Sequence, residues 1–391
     1  MERALVDGDW SAQATELLRF VGGLRGVDAD AYAASEKDVV SECQGVLARA
    51  PEDKLEAAFN QLFAVAGARE GGIDAAAPAI ARDVAATAES VGGGLRVLNN
   101  LFNVVAGGAA RVAVFSALVE LAARGKMVGV LVPVVSRLAK MVGEWVAGGA
   151  SPAACGDAVL ELRTALDAAQ LANEAYAAEL AFLEAVGADD ARCVDVATAA
   201  IVRFANLASV CDVDALAGLG SVQALSAGGR LGVAGALLDT LVASDYLQWK
   251  EYAAANQAGL ADLGVNAERA GDKMRLLTVA SIAATRLGEA VPFGDVAAAL
   301  NVEDDDVETW VIDVVRSGLM QGKMNQVSRT LVPTRSTYRT FGAAQWEHLA
   351  ERLAQWGQAL DALQPVIRNA KVVAQQQAVQ MAGQSRVTIK E

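Results

Sequence analysis

The chain has a single histidine, His348, in 391 residues. A Ser-His-Asp relay or a multi-histidine metal site would have to be built around it, and both need convergent polar partners. His348 instead lies between Trp346 and Leu349 on the flank of an amphipathic stretch, where an ordinary surface or seam histidine belongs. Cys43, Cys155, Cys193 and Cys211 are widely spaced with no CxxC pair, which argues against a disulfide framework or a zinc site and for reduced core thiols. Charge-free stretches such as 215–229 fall short of the roughly 20 apolar residues a spanning helix needs and are broken by glycine, so no membrane crossing is expected. Residues 1–10 carry Glu2, Asp7 and Asp9 and lack a basic region followed by an apolar core, so a secretory signal is not expected and a cytoplasmic location is.

Positive charge is also scarce. Lys and Arg number 33 against 47 Asp and Glu, a net charge of −14 that repels phosphate backbones over most of the surface. Protein partners are the simpler expectation, and direct nucleic-acid binding would need a local basic patch. No cofactor is expected either. The triple glycine 92–94 precedes Leu95-Arg96 rather than Lys-Ser or Lys-Thr, so it reads as a helix break and not as a phosphate loop. The acidic run Glu303, Asp304, Asp305, Asp306 and Glu308 lacks the alternating ligands and glycine of an EF-hand loop, and it reads as the capped start of a helix.

Hydrophobic residues make up 53% of the chain, enough for a large core. Much of that content is alanine, which favours helix and lets helices stack closely, so the class is mainly α. Apolar residues recur at helical spacing from Trp10 onward, as in Leu17, Leu18 and Val21, then Leu55, Phe59, Leu62 and Phe63. Glycine pairs at 22–23 and 71–72 read as loops between helices. Helices are predicted over 112–123, 126–146, 152–169 and 172–186, following one another as hairpins that bury their faces by stacking into a degenerate repeat solenoid.

The pattern changes after Gly264. Residues 273–287, 293–300 and 304–317 read as three helices, the last with Val307, Trp310, Val311, Val314 and Val315 on one face. Two strands, 319–324 and 329–333, follow around Asn325-Gln326, which completes a winged helix. Its third helix is the wrong charge for the DNA major groove, with six acidic residues from Glu303 to Asp313 against Arg316 alone. The hairpin side is more basic, with Arg316, Lys323, Arg329, Arg335 and Arg339, of which Arg335 and Arg339 are the candidates for a weak RNA contact. A protein-docking strand edge at Met320, Lys323, Arg329 and Leu331 is the favoured reading. Beyond it Trp346, Leu349, Leu353, Trp356, Leu360 and Leu363 recur at steps of three and four, a heptad-like seam that calls for a partner helix.

Three segments carry a family resemblance: Lys273-Met-Arg-Leu-Leu-Thr278, Asp306-Val-Glu-Thr-Trp-Val-Ile-Asp-Val-Val-Arg316 and Ser336-Thr-Tyr-Arg-Thr-Phe-Gly-Ala-Ala-Gln-Trp346. They closely resemble the winged-helix half of a PCI domain, and among PCI proteins the subunit M family of eukaryotic translation initiation factor 3. Upstream, Leu95-Arg-Val-Leu-Asn-Asn-Leu-Phe-Asn103 and Arg111-Val-Ala-Val-Phe-Ser-Ala-Leu118 are similar to that family's helical repeats, so the likeness spans residues 90 to 365. The chain departs from the family in its alanine and glycine content and in a glutamine-containing tail, 371–391.

The resemblance implies a right-handed helical-repeat solenoid of HAT or TPR type, followed by a winged helix and a C-terminal helix. The corresponding division is 1–90 for N-terminal helices, 91–265 for the repeats, 266–345 for the winged-helix half and 346–391 for the bundle helix and tail. It also implies a non-enzymatic scaffold among the PCI and MPN subunits of initiation factor 3, reaching the small ribosomal subunit through the complex and supporting preinitiation-complex assembly and mRNA recruitment. The MPN proteins that cleave isopeptide bonds hold zinc with clustered histidines, which a chain with one histidine cannot supply. A scaffold role in the COP9 signalosome or proteasome lid, and a free winged-helix nucleic-acid binder, are the alternatives.

Overall fold

A computed structural model describes residues 10–33, 38–69, 71–187 and 190–387. The protein is mainly α, a series of packed helices followed by a winged helix and one long terminal helix. Two units divide it, Met1–Thr337 and Tyr338–Glu391.

In the first unit the alanine-rich periodic segments form helices at Gly108–Arg124, Pro152–Ala168 and Ala172–Ala185. Their ends are set locally. Ser151 accepts the Ala154 N–H at 3.2 Å just ahead of Pro152, whose missing N–H costs nothing in a first turn. Gly72–Thr87 packs on Gly108–Arg124, which packs on Pro152–Ala168. That helix packs on Ala172–Ala185, and Arg192–Asn206 follows, touching Gly232–Ala243 and then Ala267–Thr285. Contacts between elements near in the chain are what make a helical-repeat array, since each helix buries its apolar face on its neighbours.

Close approach explains where the glycine reading needs correction. Residues 22–23 lie inside the helix Trp10–Arg25, and 92–94 form the first turn of Val91–Val104, capped by Ser90. A Cβ on Gly93 would stand 2.7 Å from a Leu55 methyl, and one on Gly94 2.7 Å from a Leu121 methyl. Glycine here buys proximity between helices rather than a break. Gly108 shows the same device against backbone: its N–H donates to the Gly148 carbonyl at 2.9 Å, and a Cβ would meet the Trp145 oxygen at 2.0 Å. Trp145 is buried beneath it, its ring 5.1 Å from Phe115 and 6.2 Å from Phe102. The single helix expected over 126–146 is instead three pieces, Val128–Leu131, Val132–Val135 and Leu138–Ala147. Lys126 takes a left-handed φ of 53°, and Pro133 starts a new turn because it cannot donate within a continuing one. Cys43, Cys155 and Cys193 are buried as expected, while Cys211 is half-buried.

One charged cluster lies inside the array. Glu179 is fully buried and pairs with Arg203 and Arg163, each at 3.1 Å, while Arg203 also reaches Asp167 at 2.8 Å. These four side chains tie together the helices Pro152–Ala168, Ala172–Ala185 and Arg192–Asn206. Among the described residues no single helix is long and apolar enough to cross a membrane.

The winged helix runs Ala267–Thr285, β1 (Val291–Pro292), Phe293–Leu300, Val307–Arg316, β2 (Met320–Asn325) and β3 (Thr330–Ser336). Its first helix starts earlier than periodicity suggests because Asn266 accepts the Glu268 and Arg269 N–H groups at 3.1 Å. The sheet is antiparallel with order β1-β3-β2 and a bulge between Gln321 and Gly322. Its core gathers Met274, Leu277, Val291, Val296, Val311 and Val314. Val315, placed on that face from sequence, is exposed, and Trp310 is half-buried.

Candidate docking surfaces

The helix Ala267–Thr285 carries the first of the family-like segments, whose polar residues Lys273, Arg275 and Thr278 reach the preceding repeat helices. The Lys273 Nζ donates to the Val210 carbonyl at 2.6 Å and to the Phe204 carbonyl, and sits 3.8 Å over the Phe204 ring. The buried ammonium thus closes the end of the helix Arg192–Asn206, where carbonyls lack helical partners and cations are favoured. Arg275 lies between two rings, 4.3 Å from Tyr246 and 5.0 Å from Trp310, and donates to the Tyr246 hydroxyl at 2.6 Å. Thr278 accepts the Tyr246 N–H at 3.0 Å while donating to the Met274 carbonyl at 2.7 Å. Lys273, Arg275 and Thr278 therefore weld the last repeat helices to the winged helix.

Burial pushes the Lys273 ammonium down from its ordinary 10.5 to about 8, with Cys211 acting the other way. The unfolded chain then holds this proton to higher pH than the folded chain does. Stability linked to the group is expected to rise between about pH 8 and pH 10.5 and to be flat below that window. Urea midpoints across the window, compared with Lys273→Met, measure it; the same pH profile in both proteins would contradict the assignment.

Charge is organised differently at the wing than capping predicts. Asp306 makes no side-chain bond at the start of Val307–Arg316. Arg329 instead pairs with Asp305 at 2.7 Å and Asp304 at 3.5 Å, and Gln326 donates to Glu308 at 2.8 Å, so the acidic run clasps the turn of the hairpin. Because β3 is the central strand, the long free edge belongs to β2. Of the four residues assigned to that edge from sequence, Lys323 alone presents an exposed side chain on β2. Met320 and Leu331 are buried, Leu331 on β3 between Val291 and Met324, and Arg329 is held by the acidic run. Arg335 is exposed and Arg339 half-buried.

The second unit holds the terminal helix, Ala343–Val387. Its start is encoded locally. Gln345 accepts the Gly342 N–H at 3.0 Å, the reaching-back half of a capping box, and Phe341 meets Trp346 edge-on at 4.9 Å as a hydrophobic staple. Tyr338 meets Phe341 edge-on at 6.0 Å and bonds His348 Nδ1 at 3.0 Å, so the lone histidine belongs to this cap. The seam that follows is apolar and open: Trp346 and Trp356 are 62% and 64% exposed, Leu349 and Leu353 40% and 56%, with Leu360 and Leu363 similar. The positions flanking it include Ala350, Gly357 and Ala359, small enough for a neighbouring helix to approach closely.

The chain matches the PCI domain family over residues 253–335 and the family described as "eIF3 subunit M, C-terminal helix" over 339–367. A protein of Schizosaccharomyces pombe named eukaryotic translation initiation factor 3 subunit M is 30% identical over 323 residues, 81% of this chain and 77% of that relative. The chain belongs to the initiation factor 3 subunit M family. Relatives of the same name are 33% identical over 212 residues in Aspergillus terreus and 43% over 109 in Aspergillus oryzae, covering 52% and 28% of this chain and 46% and 23% of theirs.

Set on the subunit M matches, the geometry is informative. The PCI match contains the welding residues Lys273, Arg275 and Thr278, and the C-terminal-helix match contains the cap residues Phe341, Gly342, Gln345 and His348 and the whole seam. Subunit M relatives are translation initiation factor subunits, not known enzymes. Among the described residues no group of three or more His, Cys, Asp or Glu is placed to hold a metal. Sequence reasoning missed Lys273 and Glu179 as buried charges, although each falls on its helix's apolar stripe: Ala270, Lys273, Leu277 and Ala280 in one, Ala175, Glu179, Phe182 and Leu183 in the other.

Proposed function

We propose that the chain is a non-catalytic, cytoplasmic scaffold subunit of eukaryotic translation initiation factor 3. In that role it would support assembly of the preinitiation complex on the small ribosomal subunit and the recruitment of mRNA. The observation that carries the reading is the open seam from Trp346 to Leu363 within a helix matched to subunit M. Large apolar side chains recurring every 3.5 residues are stable in water only when another helix covers them.

The division of labour follows the segments 1–90, 91–265, 266–345 and 346–391: N-terminal helices, repeats, winged-helix half, bundle helix with tail. The seam, Trp346, Leu349, Leu353, Trp356, Leu360 and Leu363, packs among helices of neighbouring PCI and MPN subunits. The backbone edge of β2 around Lys323 pairs with a neighbouring PCI subunit's sheet, with Met320 and Leu331 holding the strand in place from the core and Arg329 fixing its turn. Arg335, exposed on β3, and Arg339 are the candidates for a weak RNA contact.

Affinity purification of the full chain followed by mass spectrometry tests this. Initiation factor 3 subunits are the expected companions, and recovery of signalosome or proteasome-lid subunits instead would overturn the reading. A free winged-helix nucleic-acid binder is disfavoured because the third helix is acidic and Arg329 is already engaged.

A further inference from the structure

The terminal helix runs past the segment matched to the subunit M C-terminal helix. The subunit M match stops at Ile367, and the helix runs on for 20 residues to Val387. The composition changes at the same place. From Ala362 to Lys390 there is no acidic residue, while Arg368, Lys371, Arg386 and Lys390 are basic, in a chain whose net charge is −14. At 100° per residue, Arg368, Lys371 and Gln375 fall within about 60° of one another on one face. Val366, Ala370 and Val373 lie on the opposite side, continuing the apolar flank of the seam. Arg368 and Lys371 are exposed, and neither has an ion-pair partner among the described residues.

We propose that this basic strip, Arg368 and Lys371 with Gln375, binds the phosphate backbone of RNA. Three features select a polyanion over a protein surface. The heptad positions after Ile367 become Ala370, Ala374 and Gln377, and the exposed Val372 and Val373 fall off that register, so the regular seam of large knobs stops. What replaces them are spaced donors with no acidic neighbour, which suit phosphates and carry no sequence preference. Over the whole chain acidic residues outnumber basic ones, 47 to 33, which sets this acid-free strip apart. The choice of RNA over DNA rests on the proposed role in translation; the strip itself does not.

The test uses the full chain and a labelled, unstructured RNA of about 30 nucleotides, with fluorescence anisotropy read from about 50 to about 200 mM salt. Binding is expected to fall with salt at a log–log slope of about −1.4, as two phosphate contacts to a single strand give. Arg368→Glu with Lys371→Glu should weaken it about tenfold or more and flatten the slope, while Arg335→Glu with Arg339→Glu leaves it unchanged. Absence of binding at the lowest salt, loss confined to the wing variant, or equal competition by polyglutamate would each overturn the proposal, the last in favour of an acidic protein. Circular dichroism checks that the helix survives the substitutions. A strip variant that still recovers initiation factor 3 subunits on purification separates failure of this inference from failure of the scaffold reading.

Discussion

Leu353→Asp combined with Trp356→Asp is expected to release the chain from its assembly while leaving it folded. Leu353 and Trp356 are adjacent seam knobs more than half exposed in the isolated chain, so they contribute little to its own packing. In a bundle they become buried, and truncating such anchors costs about 2 to 4 kcal/mol each, before the further cost of placing a carboxylate in an apolar interface. A loss of about 4 kcal/mol is already close to a thousandfold in affinity, enough to empty the complex at cellular concentrations. Within the helix itself each aspartate costs only about 0.5 kcal/mol of propensity. Co-purification should therefore be lost while far-UV circular dichroism is retained. If the double variant still co-purifies with its partners, the seam is not the attachment.

Glu179→Ala is expected to be the most damaging single change in the repeat array, lowering stability by about 3 to 5 kcal/mol. Glu179 has no exposed surface and faces two guanidinium groups. Burial pushes its carboxyl up, and Arg203 and Arg163 offset only part of that push. Deleting it leaves those cations partly buried with Asp167 alone to serve both, at 2.8 Å from Arg203 and 3.5 Å from Arg163. Three helices lose their common tie at once. Urea denaturation measures the effect, and an unchanged midpoint would mean that Asp167 suffices.

The helical class and the order of the winged helix were legible in the sequence because both rest on local periodicity and turn chemistry. Three helices followed by two strands could be placed to within a few residues, and the seam was read residue by residue. The parts that were not legible depend on what approaches from elsewhere. Gly93 and Gly94 look like a break, yet they are helical because Leu55 and Leu121 arrive within a methyl's reach. β1 is two residues long, too short for any alternation, and without it Leu331 cannot be recognised as belonging to the central strand. The pairing of Arg329 with Asp304 and Asp305 turns what looks like a capped helix start and a free basic wing into one clasp. Lys273 and Arg275 stand in one of the family-like segments, but their roles depend on the rings of Phe204, Tyr246 and Trp310 that the fold brings to them.

The same residues explain why the motif segments belong together. Lys273, Arg275 and Thr278 join the winged helix, with the free edge of β2, to the last repeat helices, while Phe341, Gly342 and Gln345 start the helix that carries the seam.

The most direct measurement of the scaffold role is gradient sedimentation of a cell extract containing the tagged full chain. The chain is expected to travel with initiation factor 3 subunits, with a fraction alongside the small ribosomal subunit, and to return to the position of free protein when Leu353 and Trp356 are both aspartate. Sedimentation of the wild-type chain as free protein, or with the signalosome or proteasome lid, would contradict it.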